Sequence, residues 1–158
     1  MENREKYCAT QLRLIESEQF VAVGDARLGR LLNDRYAQDL AEGRMLSLPD
    51  LLSLRFEPTK GETFFRLREV KFKLEIRLVE KALQQLQSGL EWVSRRFDAP
   101  AIDRVELVVA LNGRALKPTE RPFLGAALGP ERYQLVINGS AQTLNHREQS
   151  YRVSVLLL

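Results

Sequence analysis

Residues 49–71 read PDLLSLRFEPTKGETFFRLREVK, and this stretch decides the fold. Two runs in and around it alternate with the period of two that a strand imposes on its side chains. In the first, residues 46–57, Leu48, Asp50, Leu52, Leu54 and Phe56 share a face. In the second, residues 63–76, Phe65, Leu67, Glu69 and Lys71 share a face, while Val70, Phe72, Leu74 and Ile76 point the other way. Pro58-Thr59-Lys60-Gly61 separates the runs and has the chemistry of a turn, which predicts a β-hairpin. A Lys60-Gly61 loop sets Asp50 opposite Lys71, whereas a Thr59-Lys60 loop sets Asp50 opposite Glu69. Both registers leave Asp50, Glu69 and Lys71 on one face. That face is apolar near the turn and charged at the far end, as expected at the rim of a core.

Apolar residues on both faces of these strands predict a sheet covered on both sides. The expected fold is therefore α/β: a single domain with a mixed β-sheet, built on the hairpin and flanked by helices. Residues 77–96 supply one cover, with Leu78, Val79, Ala82, Leu83, Leu86, Leu90 and Val93 as the buried stripe. Tyr7, Leu12 and Ile15 predict a short amphipathic helix within residues 4–18. Asp25 is a natural N-cap for another helix carrying Leu28, Leu31, Leu32, Tyr36 and Leu40, and Gly43 is its stop. Val105 to Leu111 is a β-rich run expected at the centre of the sheet, and Asn112-Gly113 is its turn. Residues 114–132 hold Pro118, Pro122, Pro130, Gly125 and Gly129, which predicts a long connection with one helical turn at Leu124–Leu128. Tyr133–Asn138 and Tyr151–Leu158 read as further strands. The chain divides into an N-terminal helical extension (1–23), a core (25–112), a long loop (114–132) and C-terminal strands (133–158).

The bulk composition narrows the function classes. A chain of 158 residues can bury a sizeable core as one domain. A net charge of +3 permits a polyanionic partner without demanding one. Cys8 is the only cysteine, so neither an internal disulfide nor a cysteine-based zinc site is available. His146 is the only histidine, which excludes multi-histidine metal sites and disfavours a Ser-His-Asp triad. No apolar run reaches the length of a membrane span. The N-terminal MENREKYCATQ lacks the apolar core of a signal peptide, so a cytoplasmic protein is expected. Neither a G-x-x-x-x-G-K-[ST] loop nor a G-x-G-x-x-G fingerprint is present, which leaves an effector or small-ligand domain with almost no support.

Pro49-Asp50 followed by Glu69-Val70-Lys71 resembles the P-D…(D/E)-x-K motif of the PD-(D/E)xK nuclease superfamily, which includes restriction enzymes, Holliday-junction resolvases and recombination exonucleases. The order of elements over roughly residues 25–112 is similar to the αβββαβ core of that restriction-endonuclease-like fold. The resemblance implies hydrolysis of a phosphodiester, DNA being the expected substrate, with Mg²⁺ or Mn²⁺ as cofactor. It implies Asp50 and Glu69 as metal ligands, the Val70 carbonyl as a third oxygen, and Lys71 beside the attacking water. Lys81-Ala82-Leu83-Gln84-Gln85-Leu86 looks like the Lys/Gln-bearing stretch that follows the motif, where a Gln turns back to the site. Gln85 is the expected one. Lys73, on the same strand face, and Arg66 and Arg68 are the expected phosphate contacts. Many members add an acid on the first helix. Asp34, Asp39 and Glu42 are available here, and none is a clear match. The residue types suit the chemistry, since Mg²⁺ takes hard oxygen ligands and keeps several waters.

Each piece also has an ordinary structural reading. An E-x-K tripeptide recurs wherever surface strands alternate acid and base, and an Asp–Lys cross-strand pair can simply solvate a hairpin end. The competing function is a catalytically inactive interaction or assembly module on the same core, a subunit of a DNA-processing, defence or phage-related complex. Small size, mild charge and the apolar Leu156-Leu157-Leu158 end motivate it. That end is expected to be covered by the chain's own helices or by another subunit, and a homodimer would suit a duplex cutter. Trp92 and Phe97 read as core packing, and His146 as a surface loop residue. The 114–132 segment, with Arg114, Lys117, Arg121 and Arg132, reads equally as a DNA-closing loop, a subunit contact or a plain surface loop.

Overall fold

The computed structural model of the chain describes residues 4–15, 19–22, 49–57, 59, 61–97 and 100–158. In order, the elements are α1 (Arg4–Ile15), β1 (Gln19–Ala22), β2 (Leu51–Glu57), β3 (Glu62–Lys71), α2 (Ile76–Arg96) and β4 (Ala101–Val109). A 3-10 turn (Arg121–Phe123) then leads to β5 (Leu124–Gly129), β6 (Arg132–Ile137), β7 (Ser140–Ala141), β8 (Thr143–His146) and β9 (Gln149–Leu157). The fold is α/β, with a mixed sheet in the order β1-β2-β3-β4-β9-β6-β5; β7 pairs with β6 and β8 with β9. The helix expected after Asp25, and with it Asp34, Asp39 and Glu42, lies outside the described residues.

The hairpin forms in the register that the Thr59-Lys60 alternative requires. Leu52 pairs with Leu67, Leu54 with Phe65 and Glu57 with Glu62. Gly61 closes the connection at φ +63°, in the left-handed region that glycine enters without steric penalty. β1 adds to β2 antiparallel, while β4 lies parallel to β3 and β9 parallel to β4. Parallel neighbours need a crossover, and α2 is the one that joins β3 to β4. The carboxyl ends of β3, β4 and β9 therefore meet at one edge. There the Ala110 amide donates to the Lys71 carbonyl at 2.8 Å, and the Leu158 amide donates to the Val109 carbonyl at 2.9 Å.

Both faces of the sheet are covered. On one face Leu52, Phe65, Leu67, Val105, Leu107, Val109, Val153 and Val155 pack against Val79, Ala82, Leu86, Leu90 and Val93 of α2. Trp92 joins this core, and Phe97 lies between it and Phe65, edge-on to Trp92 and tilted against Phe65. On the other face Leu51, Val70, Val108, Ala110 and Leu156 pack with Cys8 and Leu12 of α1. Each such leucine or valine withdrawn from water contributes about 1.5–3 kcal/mol, so α2 is held by its stripe more than by helix propensity.

Several expectations are corrected. The second hairpin strand stops at Lys71 instead of running to residue 76, because the Leu74 amide bonds Glu120 and leaves the ladder. Leu74 is buried in the α2 core, while Phe72 and Ile76 are exposed. Leu124–Leu128 is strand, not a helical turn. β1, β7 and β8 are additional strands, and His146 ends β8 instead of lying in a loop. Among the described side chains of α1, Cys8 and Leu12 are buried and Tyr7 is exposed; Ile15 lies outside them. Leu156 is buried and Leu158 packs beside it on the α1 face, which meets the first of the two covers expected for the apolar end, the chain's own helices.

Candidate active site at the end of the hairpin

Asp50 immediately precedes β2, and Glu69 and Lys71 sit at the end of β3, so the antiparallel register brings all three to one edge. Pro49 is buried beneath them against α2, at a helix position occupied by Gly89. A Cβ there would stand 2.8 Å from Pro49 Cγ. The glycine thus allows the helix to approach the backbone that carries Asp50.

The two carboxylates are tied by reciprocal bonds. The Asp50 amide donates to Glu69 Oε2 at 2.9 Å, and the Val70 amide donates to Asp50 Oδ2 at 3.0 Å. Lys71 Nζ stands 3.1 Å from Glu69 Oε1 and donates to Gln85 Oε1 at 3.2 Å. The chain of contacts runs from Asp50 through Glu69 and Lys71 to Gln85, and the neighbouring Gln84 is exposed. Glu69 is 1% exposed and Lys71 8%, so this is a buried polar cluster with Asp50 at its half-open end.

Burial and the adjacent Asp50 carboxylate push the Glu69 carboxyl up to about 8, with Lys71 pulling against them. Glu69 therefore tends to hold a proton near neutrality. A cation placed between the two carboxylates would remove their repulsion and favour the ionised form. The Val70 carbonyl belongs to the same side. In extended backbone a residue's N–H and C=O project to one edge of the strand; the Val70 amide faces Asp50, while the Lys71 carbonyl faces β4. Two carboxylates and a carbonyl form a hard-oxygen donor set of the kind Mg²⁺ or Mn²⁺ accepts. Among the described residues no group of three or more His, Cys, Asp and Glu stands together.

The proposed phosphate contacts fare differently. Arg68 is wholly buried, its Nε 3.0 Å from Glu106 Oε1 and its NH1 3.1 Å from Ser53 Oγ. Arg66 is buried in a bidentate pair with Asp103, at 3.0 and 3.1 Å. Both point away from Glu69 and Lys71, because alternate residues of a strand face opposite ways. Their guanidiniums are committed to the sheet interior and are not available to a phosphate. Glu106 also takes Arg132 Nε at 3.1 Å, which makes it the centre of a buried ionic network. Lys73 lies beyond the strand end, exposed, 3.3 Å from Glu75.

Glu120, a third buried acid after Glu69 and Glu106, has no counterpart in the sequence reading. It accepts from the amides of Leu74 (2.9 Å) and Lys117 (3.0 Å) and from both terminal nitrogens of Arg114 (2.7 and 3.0 Å). Arg114 hydrogen bonds, with support from the two amides, hold the Glu120 carboxyl down to about 2. Arg114 NH2 also donates to the Phe72 carbonyl at 2.6 Å. The only advance signal is an acid set among Arg114, Lys117 and Arg121 in a proline-rich loop.

Comparison with family models, with curated proteins and with solved structures found no match to the chain. No helix among the described residues is long and apolar enough to cross a membrane.

Proposed function

We propose that the chain is a metal-dependent nuclease of the PD-(D/E)xK type, acting in the cytoplasm on a phosphodiester, with DNA as the first substrate to test. The observation that carries this reading is the contact chain Asp50–Glu69–Lys71–Gln85 at the carboxyl edge of the sheet. Ligands of open α/β sheets bind at that edge as a rule. Antiparallel pairing among β1, β2 and β3, followed by the α2 crossover to a parallel β4, supports it further.

In this reading Asp50, Glu69 and the Val70 carbonyl hold Mg²⁺ or Mn²⁺. When bound, the metal supplies Lewis-acid polarisation of the phosphate and a water of lowered pKa. Lys71 is the donor that orients the attacking water or neutralises charge developing on the phosphoryl oxygens. Gln85 positions Lys71 by accepting from its Nζ through Oε1, in a part-buried place where water screens the pair less than in bulk. A duplex has two strands to reach, which two copies of the chain would do most simply.

One observation favours a second reading, an inactive binding or assembly module. Asp50, Glu69, Lys71 and Gln85 satisfy one another, as a purely structural network would. Labelled single- and double-stranded DNA and RNA, incubated with Mg²⁺ or Mn²⁺, separate the two. The nuclease reading expects cutting that a chelator abolishes. The module expects no cutting and no metal-induced rise in melting temperature.

A further inference from the structure

Between Leu111 and Pro130 the charged residues are Arg114, Lys117, Glu120 and Arg121. The single acid is buried and paired, while Lys117 and Arg121 are exposed on either side of it. This segment leaves β4 at the edge that carries Lys71. It is stapled there by Glu120 to the Leu74 amide and by Arg114 to the Phe72 carbonyl, on the connection that follows Lys71. Burying a carboxylate requires several such bonds to offset its desolvation, and here they hold a loop rigid at the candidate site. Lys73 on the same connection is exposed as well, paired with Glu75 at 3.3 Å. The outward charge on the stapled loop is therefore of one sign, and fixed relative to Asp50 and Glu69.

From this we propose that the Arg114–Glu120 clamp builds a wall that receives the phosphate backbone of a nucleic acid, with Lys117 and Arg121 as its contacts. The proposal rests on the nuclease reading of the adjacent site and names the surface that would deliver substrate to it. Contacts of this kind position the strand without reading bases, and each should add to the salt dependence of binding.

Fluorescence anisotropy with short fluorescein-labelled single-stranded and duplex DNA, across a potassium chloride series, tests it. The variant is Lys117→Glu with Arg121→Glu. The control makes the same charge change at the exposed Arg147 and Arg152 of the β8–β9 hairpin. The wall variant should bind about tenfold or more weakly, with a log–log salt slope shallower by about 2, at an unchanged melting temperature. The control should stay within about threefold of wild type, the change left for net charge alone. Equal losses in variant and control would overturn the wall. Cutting by wild type with an unchanged KM in the wall variant would overturn the wall and leave the nuclease reading intact. Binding through the wall without metal-dependent cutting would uphold the wall and remove the nuclease reading. No binding to either DNA would remove the wall.

Discussion

Gly89 of α2 lies against the ring of Pro49, so close that a Cβ would meet Pro49 Cγ at 2.8 Å and Cδ at 2.9 Å. The contact links a helix to the residue before Asp50, and so links packing to site geometry. Ala is the better helix former by about 1 kcal/mol, but overpacking against a rigid ring costs about 1–3 kcal/mol. Gly89→Ala should therefore lower stability on balance and displace Asp50, which thermal melting and cleavage assays would register together. A variant more stable than wild type would show that the approach is not tight.

Glu69 sets a pH dependence whose sign follows from its raised carboxyl. Its value rises from 4.5 to about 8 on folding, so the folded state holds the proton that the unfolded state has released. Its contribution is full below about 4.5 and is lost as pH rises through about 8. Glu69→Gln, which mimics the protonated form, should flatten that decline in urea titrations run from acid to mildly alkaline pH. Under the metal reading, Mg²⁺ or Mn²⁺ binding should also release a proton near neutrality, visible as buffer-dependent heat in calorimetry.

Glu120 behaves in the opposite sense. Its carboxyl falls from 4.5 to about 2 on folding, so its stabilisation is full above about 4.5 and is lost as pH drops toward about 2. Glu120→Gln should cost about 1–3 kcal/mol at neutral pH and remove that part of the acid sensitivity. An unchanged acid midpoint in the variant would assign the sensitivity elsewhere.

Glu106 anchors Arg68 and Arg132 in the interior of the sheet. Glu106→Gln leaves buried guanidinium charge without its carboxylate and should destabilise by about 3–5 kcal/mol. Chemical denaturation measures it. A loss under about 1 kcal/mol would mean that water reaches the network.

The hairpin was legible because its alternation, its turn and its two-faced burial agree with one another. That Asp50, Glu69 and Lys71 share a face follows from that alternation, whereas Gln85 comes only from the resemblance of 81–86 to the Lys/Gln-bearing stretch. What escaped the sequence is tertiary. Phe72, Leu74 and Ile76 continue the alternation past the true strand end, which is set by a bond from Leu74 to Glu120, remote in sequence. Arg66 and Arg68 read as phosphate contacts until β4 brings Asp103 and Glu106 beside them. β1 is too short, and β5 too rich in glycine and alanine, to show a period.

The central claim is that Asp50, Glu69 and Lys71 work as one metal-dependent site. The most direct test compares the initial rates of DNA cleavage in Mn²⁺ by wild type, Asp50→Asn and Lys71→Ala, all checked for native melting behaviour. Each substitution should lower the rate by about 10²–10⁴-fold, the span typical of losing a proton-transfer or charge-stabilising group. Wild-type rates in both variants, or wild-type cleavage that persists in chelator, would contradict the account.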